Sequence, residues 1–223
     1  MPAQIVNLRL LTALTCAYCY LFTPAIAQTS SDSAPQLSKL DSHGEPLPLT
    51  AQEWDCVKDE QTGLVWEKKD PSSALHGQDT FIWYQPEQAA LGKETGVPRA
   101  NPELFGIDNT CYGYRSNDPA SYCNTSAYSN RVNQSQYCGF SDWRLPSAHE
   151  LLSLVDPQLS GNDYLPSIDT DFFPFTRRFA YWTSTLNEVG NVIGVFADEI
   201  LLDNLERTDY LSVRLVRGEP LQP

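Results

Sequence analysis

CGFSDWRLPSAHELLSLVD, residues Cys138 to Asp156, holds the local signals that decide the fold class. Ser147 stands three residues before Glu150, just ahead of Leu151, Leu152, Leu154 and Val155. At that spacing the serine hydroxyl and the glutamate carboxylate each accept a bond from the other's backbone N–H, so a helix is expected to start at Ala148. Asp156-Pro157 ends it, because a proline disfavours helical backbone in the residue before it. Upstream, Trp143 and Leu145 alternate with Asp142 and Arg144 as in a brief strand, and Pro146 presets the entry into the helix. Arg144 reads as a buried, carboxylate-paired arginine that ties strand to helix rather than as a catalytic group. The stretch is therefore a strand-to-helix joint.

Towards the N-terminus, a short helix is expected over 125–136, with Ala127, Tyr128 and Val132 on one side and Asn124 or Thr125 as its cap. Residues 70–119 are dense in Gly, Pro, Asn, Asp and Tyr without sustained periodicity, which predicts a long, partly ordered surface excursion. In WDCVKDEQTGLVWEKK, Cys56-Val57 and Leu64-Val65-Trp66 flank a polar turn with Thr62-Gly63, a hairpin signal. Towards the C-terminus, AYWTSTL, NVIGVFA and YLSVRLVRG read as strands, joined by a turn over 187–191 and a polar link over 203–209. The second half is thus expected to be mainly antiparallel sheet.

The first residues have one positive charge at Arg9, an apolar run from Leu10 to Phe22 and Ala25-Ile26-Ala27 before a polar segment. That is the pattern of a signal peptide over 1–27, cut after Ala27. The apolar run is shorter than the ~20 residues that span a bilayer, and no later stretch reads as a transmembrane helix. A lipid anchor at Cys16 is the competing reading, but Ala13-Leu14-Thr15 lacks the small residue expected just before an acylated cysteine. Residues 28–52, rich in Ser, Pro and Asp, read as a flexible linker. Residues 53–219 are long enough for one domain with a real core, and 220–223 form a tail. The expected localisation is outside the cytoplasm: periplasm, cell surface or medium.

The formal charge is −13, from 15 Lys+Arg and 28 Asp+Glu. Loss of Arg9 with a signal peptide would leave 14 basic residues and a charge of −14. Such acidity disfavours nucleic acid and anionic lipid as partners, since both are bound largely through cation neutralisation.

Two of the six cysteines, Cys16 and Cys19, lie in the signal segment, leaving Cys56, Cys111, Cys123 and Cys138. Four cysteines in an exported chain read as two disulfides, for which three connectivities exist. The short segment between Cys111 and Cys123, and the place of Cys56 and Cys138 at the opening of the domain and of its joint, favour Cys111–Cys123 and Cys56–Cys138. Zinc is the weaker reading, because no CxxC pair exists.

His149 beside the helix cap, His43 and His76 form no pair at metal-ligand spacing, and no GxSxG, phosphate loop or HExxH is present. Asp163, Asp169 and Asp171 could serve calcium, but the twelve-residue EF-hand pattern is missing. No catalytic set, cofactor or metal is assigned. Binding residues concentrate on loops held by rigid scaffolds. Two such loops are candidates: Tyr112, Tyr114 and Tyr122 in the excursion, and Arg177 with Arg178. Aromatic faces suit sugar rings or protein contacts, and adjacent arginines can hold an acidic group.

TGLVWEKK, CGFSDWRLPSAHELLSLVD, IDTDFFP, YWTST and VRLVRG occur in the order seen in the Lcl C-terminal domain family, formerly a domain of unknown function, which the chain resembles from Trp54 to Gly218. RLPS followed by Glu150, and VRLVR, are also similar to motifs of formylglycine-generating enzymes and other C-type-lectin-like folds. The resemblance implies an α+β domain: a small twisted antiparallel sheet with two main helices, long loops, and first and last strands close together. Trp66, Trp143, Arg144, Glu150, Trp182 and Arg214 then read as scaffold, from their place in strand and cap motifs.

The family's namesake is the terminal domain of a bacterial collagen-like adhesin that binds sulfated glycosaminoglycans. This chain has no Gly-X-Y repeat and is strongly acidic, so that ligand is not carried over. The expected function is a non-enzymatic, exported binding or surface-interaction module for a glycan or protein. The alternatives are a structural envelope component, which would form a persistent homo-oligomer, and a formylglycine-generator-like oxidase, which would need a cysteine pair free to bind copper.

Overall fold

Ser147 caps its helix as the spacing requires. Its hydroxyl accepts from the Glu150 N–H at 3.1 Å, and the Glu150 carboxylate accepts from the Ser147 N–H at 2.7 Å. The computed structural model describes residues 36–71, 75, 77–100, 110–159, 167–190, 192–196 and 201–222, with the backbone alone at 196 and 201–204. The expected signal peptide, Cys16, His76 and Asp163 lie outside the described residues.

The domain is α+β. Strands β1 (Leu37–Leu40), β2 (Cys56–Asp59) and β3 (Val65–Glu67) precede helices α1 (Thr125–Gln134) and α2 (Ala148–Leu152). Strands β4 (Ala180–Leu186), β5 (Val192–Phe196), β6 (Leu201–Leu205) and β7 (Val216–Arg217) follow. One small sheet was expected, and two form: β1-β2-β3-β7 and β4-β5-β6, every pair antiparallel. The last strand closes on the first hairpin, Val65 opposite Arg217 and Trp66 opposite Val216.

Five further expectations need correction. The segment read as a linker over 28–52 contains β1, whose Leu40 is buried and whose partners run from Leu37–Asp59 to Leu40–Cys56. Four residues among serine, proline and aspartate show no period of their own; their order comes from the neighbouring strand. The excursion over 70–119 is no mere surface loop, because Phe81, Ile82 and Trp83 are fully buried. The Trp182 indole N–H donates to the Phe81 carbonyl at 2.6 Å, and the Trp83 indole N–H donates to the Thr183 carbonyl at 2.9 Å. These bonds satisfy two buried donors and lock the excursion to β4. The polar link over 203–209 overlaps β6, and α2 stops at Leu152 instead of running on to Asp156. Finally, the tail is tethered, since the Leu221 N–H donates to Glu150 at 3.1 Å.

Two hydrophobic clusters form the core. One gathers Trp83, Trp143, Trp182, Phe81 and Tyr128; the other gathers Trp66, Leu151, Leu154, Phe173 and Tyr181. Cys56 is bonded to Cys138 and Cys111 to Cys123, the pairing that loop length and position favour.

Candidate binding face and the scaffold beneath it

The scaffold is held by buried charge as well as by apolar contact. Arg144 grips Glu150 through both guanidinium nitrogens, at 2.7 and 2.8 Å, and Glu150 is fully buried. Arg144 itself is not buried as expected: its side chain is 31% exposed, so one face of the pair meets water. Burial pushes the Glu150 carboxyl up, but the bonds from Arg144, Ser147 and Leu221 outweigh it and hold the group below the ordinary glutamate range.

Trp66, Trp143, Trp182 and Arg214 are all buried. Arg214 donates to the Glu67 carbonyl at 2.7 Å and to the Thr176 hydroxyl at 2.9 Å, with its guanidinium 4.6 Å from the Phe173 ring centre.

Glu67, which the sequence reading passed over, is the centre of this scaffold. Its carboxylate accepts from Lys69 at 2.7 Å, from the Tyr128 hydroxyl, and from the Leu215 N–H at 2.8 Å. Desolvation lowers the Lys69 ammonium below its ordinary value, against the pull of Glu67, and raises the Tyr128 phenol well above its own. All three side chains are buried, so the cluster joins β3, α1 and the segment before β7 rather than presenting chemistry to solvent. The signal in the sequence is a glutamate directly after Val65-Trp66, where an ordinary strand end would meet water.

On this scaffold sit the two loops singled out for binding. The tyrosine loop is pinned at its base by Cys111–Cys123 and by the Thr80 and Thr110 backbones, 3.0 Å apart. Its far side is held by Arg131 on α1, which donates to the Ala120 carbonyl at 2.8 Å and the Tyr122 carbonyl at 3.1 Å. Tyr114 and Tyr122 lie with ring centres 6.2 Å apart, and the Arg99 guanidinium is 5.6 Å from Tyr122. Tyr112 is 58% exposed.

The arginine segment meets the same loop through adjacent residues. The Arg177 guanidinium donates to the Gln78 carbonyl at 3.0 Å, while the Tyr112 N–H donates to the Asp79 carboxylate at 2.7 Å. Arg177 also lies 5.1 Å from the Phe179 ring centre, and its backbone N–H is held by the Tyr181 hydroxyl at 2.9 Å. Phe175 and Phe179, both partly exposed, were missed; they flank the arginine pair in FTRRF. The Tyr112 backbone and the Arg177 guanidinium thus meet at Gln78-Asp79, with the Phe179 ring beside Arg177. Arg178 belongs to the segment by sequence.

Of the acids considered for calcium, Asp169 has a local backbone bond. The Asp169 carboxylate accepts from the Asp171 N–H at 2.8 Å. Among the described residues no three His, Cys, Asp or Glu side chains gather at metal-binding distance, and no helix is long and apolar enough to cross a membrane.

Residues 55–217 match the family described as the Lcl C-terminal domain. No curated protein and no solved structure matches the chain.

Proposed function

The chain belongs to the Lcl C-terminal domain family, and from that premise we propose that it is an exported, non-enzymatic binding module whose ligand, a glycan or a protein, docks on the face around Tyr112, Arg177 and Phe179. The observation that carries this reading is the anchoring of that face. The loop that carries Tyr112 is fixed by a disulfide and by the half-buried Arg131, and the Arg177 guanidinium is held on the Gln78 carbonyl, which limits the entropy lost on binding. The four cysteines 56, 111, 123 and 138 are all bonded, which weighs against an oxidase that needs a free pair for copper. Disulfides also suit an oxidising compartment outside the cytoplasm. The shared sheet of first hairpin and last strand supports a C-type-lectin-like reading of the fold.

A glycan array tests it. Tyr112→Ala and Arg177→Ala should each weaken capture of the bound glycan about tenfold or more, a loss near 1.4 kcal/mol, while the melting temperature stays put. Capture that is unchanged in both folded variants would move the site elsewhere. An array that stays blank, combined with a persistent oligomer in solution, would favour the structural-component reading.

A further inference from the structure

Away from that face, and built from none of its residues, a cleft of about 630 Å³ opens between residues 93–97 and the turn 205–208. Both walls hang from the same buried segment. The Trp83 N–H donates to the Arg207 carbonyl at 2.8 Å, and the Gln85 N–H donates to the Thr95 carbonyl at 2.9 Å. Gly96 bridges Tyr84 with a φ of 76°, and a Cβ there would stand 2.2 Å from the Trp83 carbonyl oxygen. Only glycine lets this wall approach so closely. That Cβ would also lie 3.5 Å from Arg207 Cδ, so the missing side chain leaves room beside the arginine.

Arg207 is fixed from several sides. Its guanidinium lies 5.3 Å from the Trp83 ring centre, one terminal nitrogen donates to the Gly190 carbonyl at 2.6 Å, and its Nε–H has no partner. The other terminal nitrogen is taken by the Glu94 carboxylate at 2.9 Å. The two ends of this ion pair differ sharply: the Arg207 side chain is 16% exposed and that of Glu94 is 82% exposed. A carboxylate so open to water gains little from the pairing and is readily exchanged, whereas the arginine is held in place whether Glu94 is present or not. The preorganised, poorly hydrated fork of an arginine is suited to carboxylate.

We propose that this cleft binds a small organic carboxylate, which replaces Glu94 on the Arg207 guanidinium. Glu94 is then the chain's own placeholder, returning to solvent when ligand arrives. Lys93 and Glu206 also line the cleft, one of each charge, so Arg207 is the cation that the displaced Glu94 leaves to the ligand. The acidity of the whole chain works against polyanions and leaves a ligand with a single carboxylate or two as the better fit.

The experiment is calorimetric titration of the full chain with sodium acetate, succinate and galacturonate, each against sodium chloride of equal ionic strength. At least one carboxylate should bind beyond the chloride control. Glu94→Gln, which removes the internal competitor, should tighten that binding about threefold or more, and Arg207→Lys should weaken it about tenfold. Tightening in Glu94→Gln is a result that a merely structural pair would not give, and it needs no change at the buried arginine. Absence of binding in both the wild type and Glu94→Gln would overturn the proposal. So would a carboxylate that binds folded Arg207→Lys as well as it binds the wild type, because its site would then lie elsewhere.

Discussion

Glu150 does the work of three residues at once: it completes the helix cap, holds Arg144 and receives the chain end at Leu221. Glu150→Gln keeps the shape and removes the charge. It should lower unfolding free energy at pH 7 by about 2 kcal/mol, less than a fully buried pair would lose, because Arg144 keeps contact with water. The pH dependence follows from the carboxyl's depressed position in the folded state. Its contribution is fully present above the unfolded value of about 4.3 and fades as pH falls through the lower folded value. Urea unfolding at pH 7 and in steps below pH 5 should show the wild type losing its advantage over Glu150→Gln as acid is added. A gap that stayed constant down to pH 2 would mean that the carboxylate is not the source. For Glu67, by contrast, the sequence shows only a charged residue at a strand end and nothing of what it binds. Its role depends on Lys69, Tyr128 and Leu215, which only the tertiary fold brings to it.

The tyrosine loop is one element whose order can be removed without touching the core. Replacing Cys111 and Cys123 together by serine should cost about 3 kcal/mol through the freed loop entropy. Hydrogen exchange should rise over 110–123 while β4 and β5 keep their protection; equal loosening of the strands would show that the bond braces the whole core. Elements with strong local signals were legible from sequence: the capping box of α2, the β2–β3 hairpin and the side of α1 holding Tyr128 and Val132. Those whose order comes from a neighbour were not. β1 is four residues on a sheet edge, and Phe81 to Trp83 form an apolar patch too short to show a period. The same limit applies to the candidate sites. Tyr112 and Arg177 could be picked by residue type, but their convergence on Gln78-Asp79, and the Arg207–Glu94 pair, depend on contacts between distant segments.

At the scale of the molecule, the closing contacts join its two ends. β7 pairs with β3, the Leu215 N–H reaches the Glu67 carboxylate, and Arg214 reaches the Glu67 carbonyl. Cys56 and Cys138 close a second long loop, 82 residues apart in sequence, worth about 4.5 kcal/mol by loop entropy. A chain ended after Tyr210 lacks β7 and leaves Glu67 without two of its partners, Arg214 and Leu215. It should show no cooperative thermal transition, and a sharp transition in that fragment would count against the closure described. Synthesis runs from the N-terminus, so Glu67 and Lys69 are made long before Arg214 and Leu215. During that interval the carboxylate has no dry place to go, and the first hairpin must wait in water. The buried state of this carboxylate is thus available only once the segment before β7 has been made, so the first hairpin cannot reach its final packing by itself.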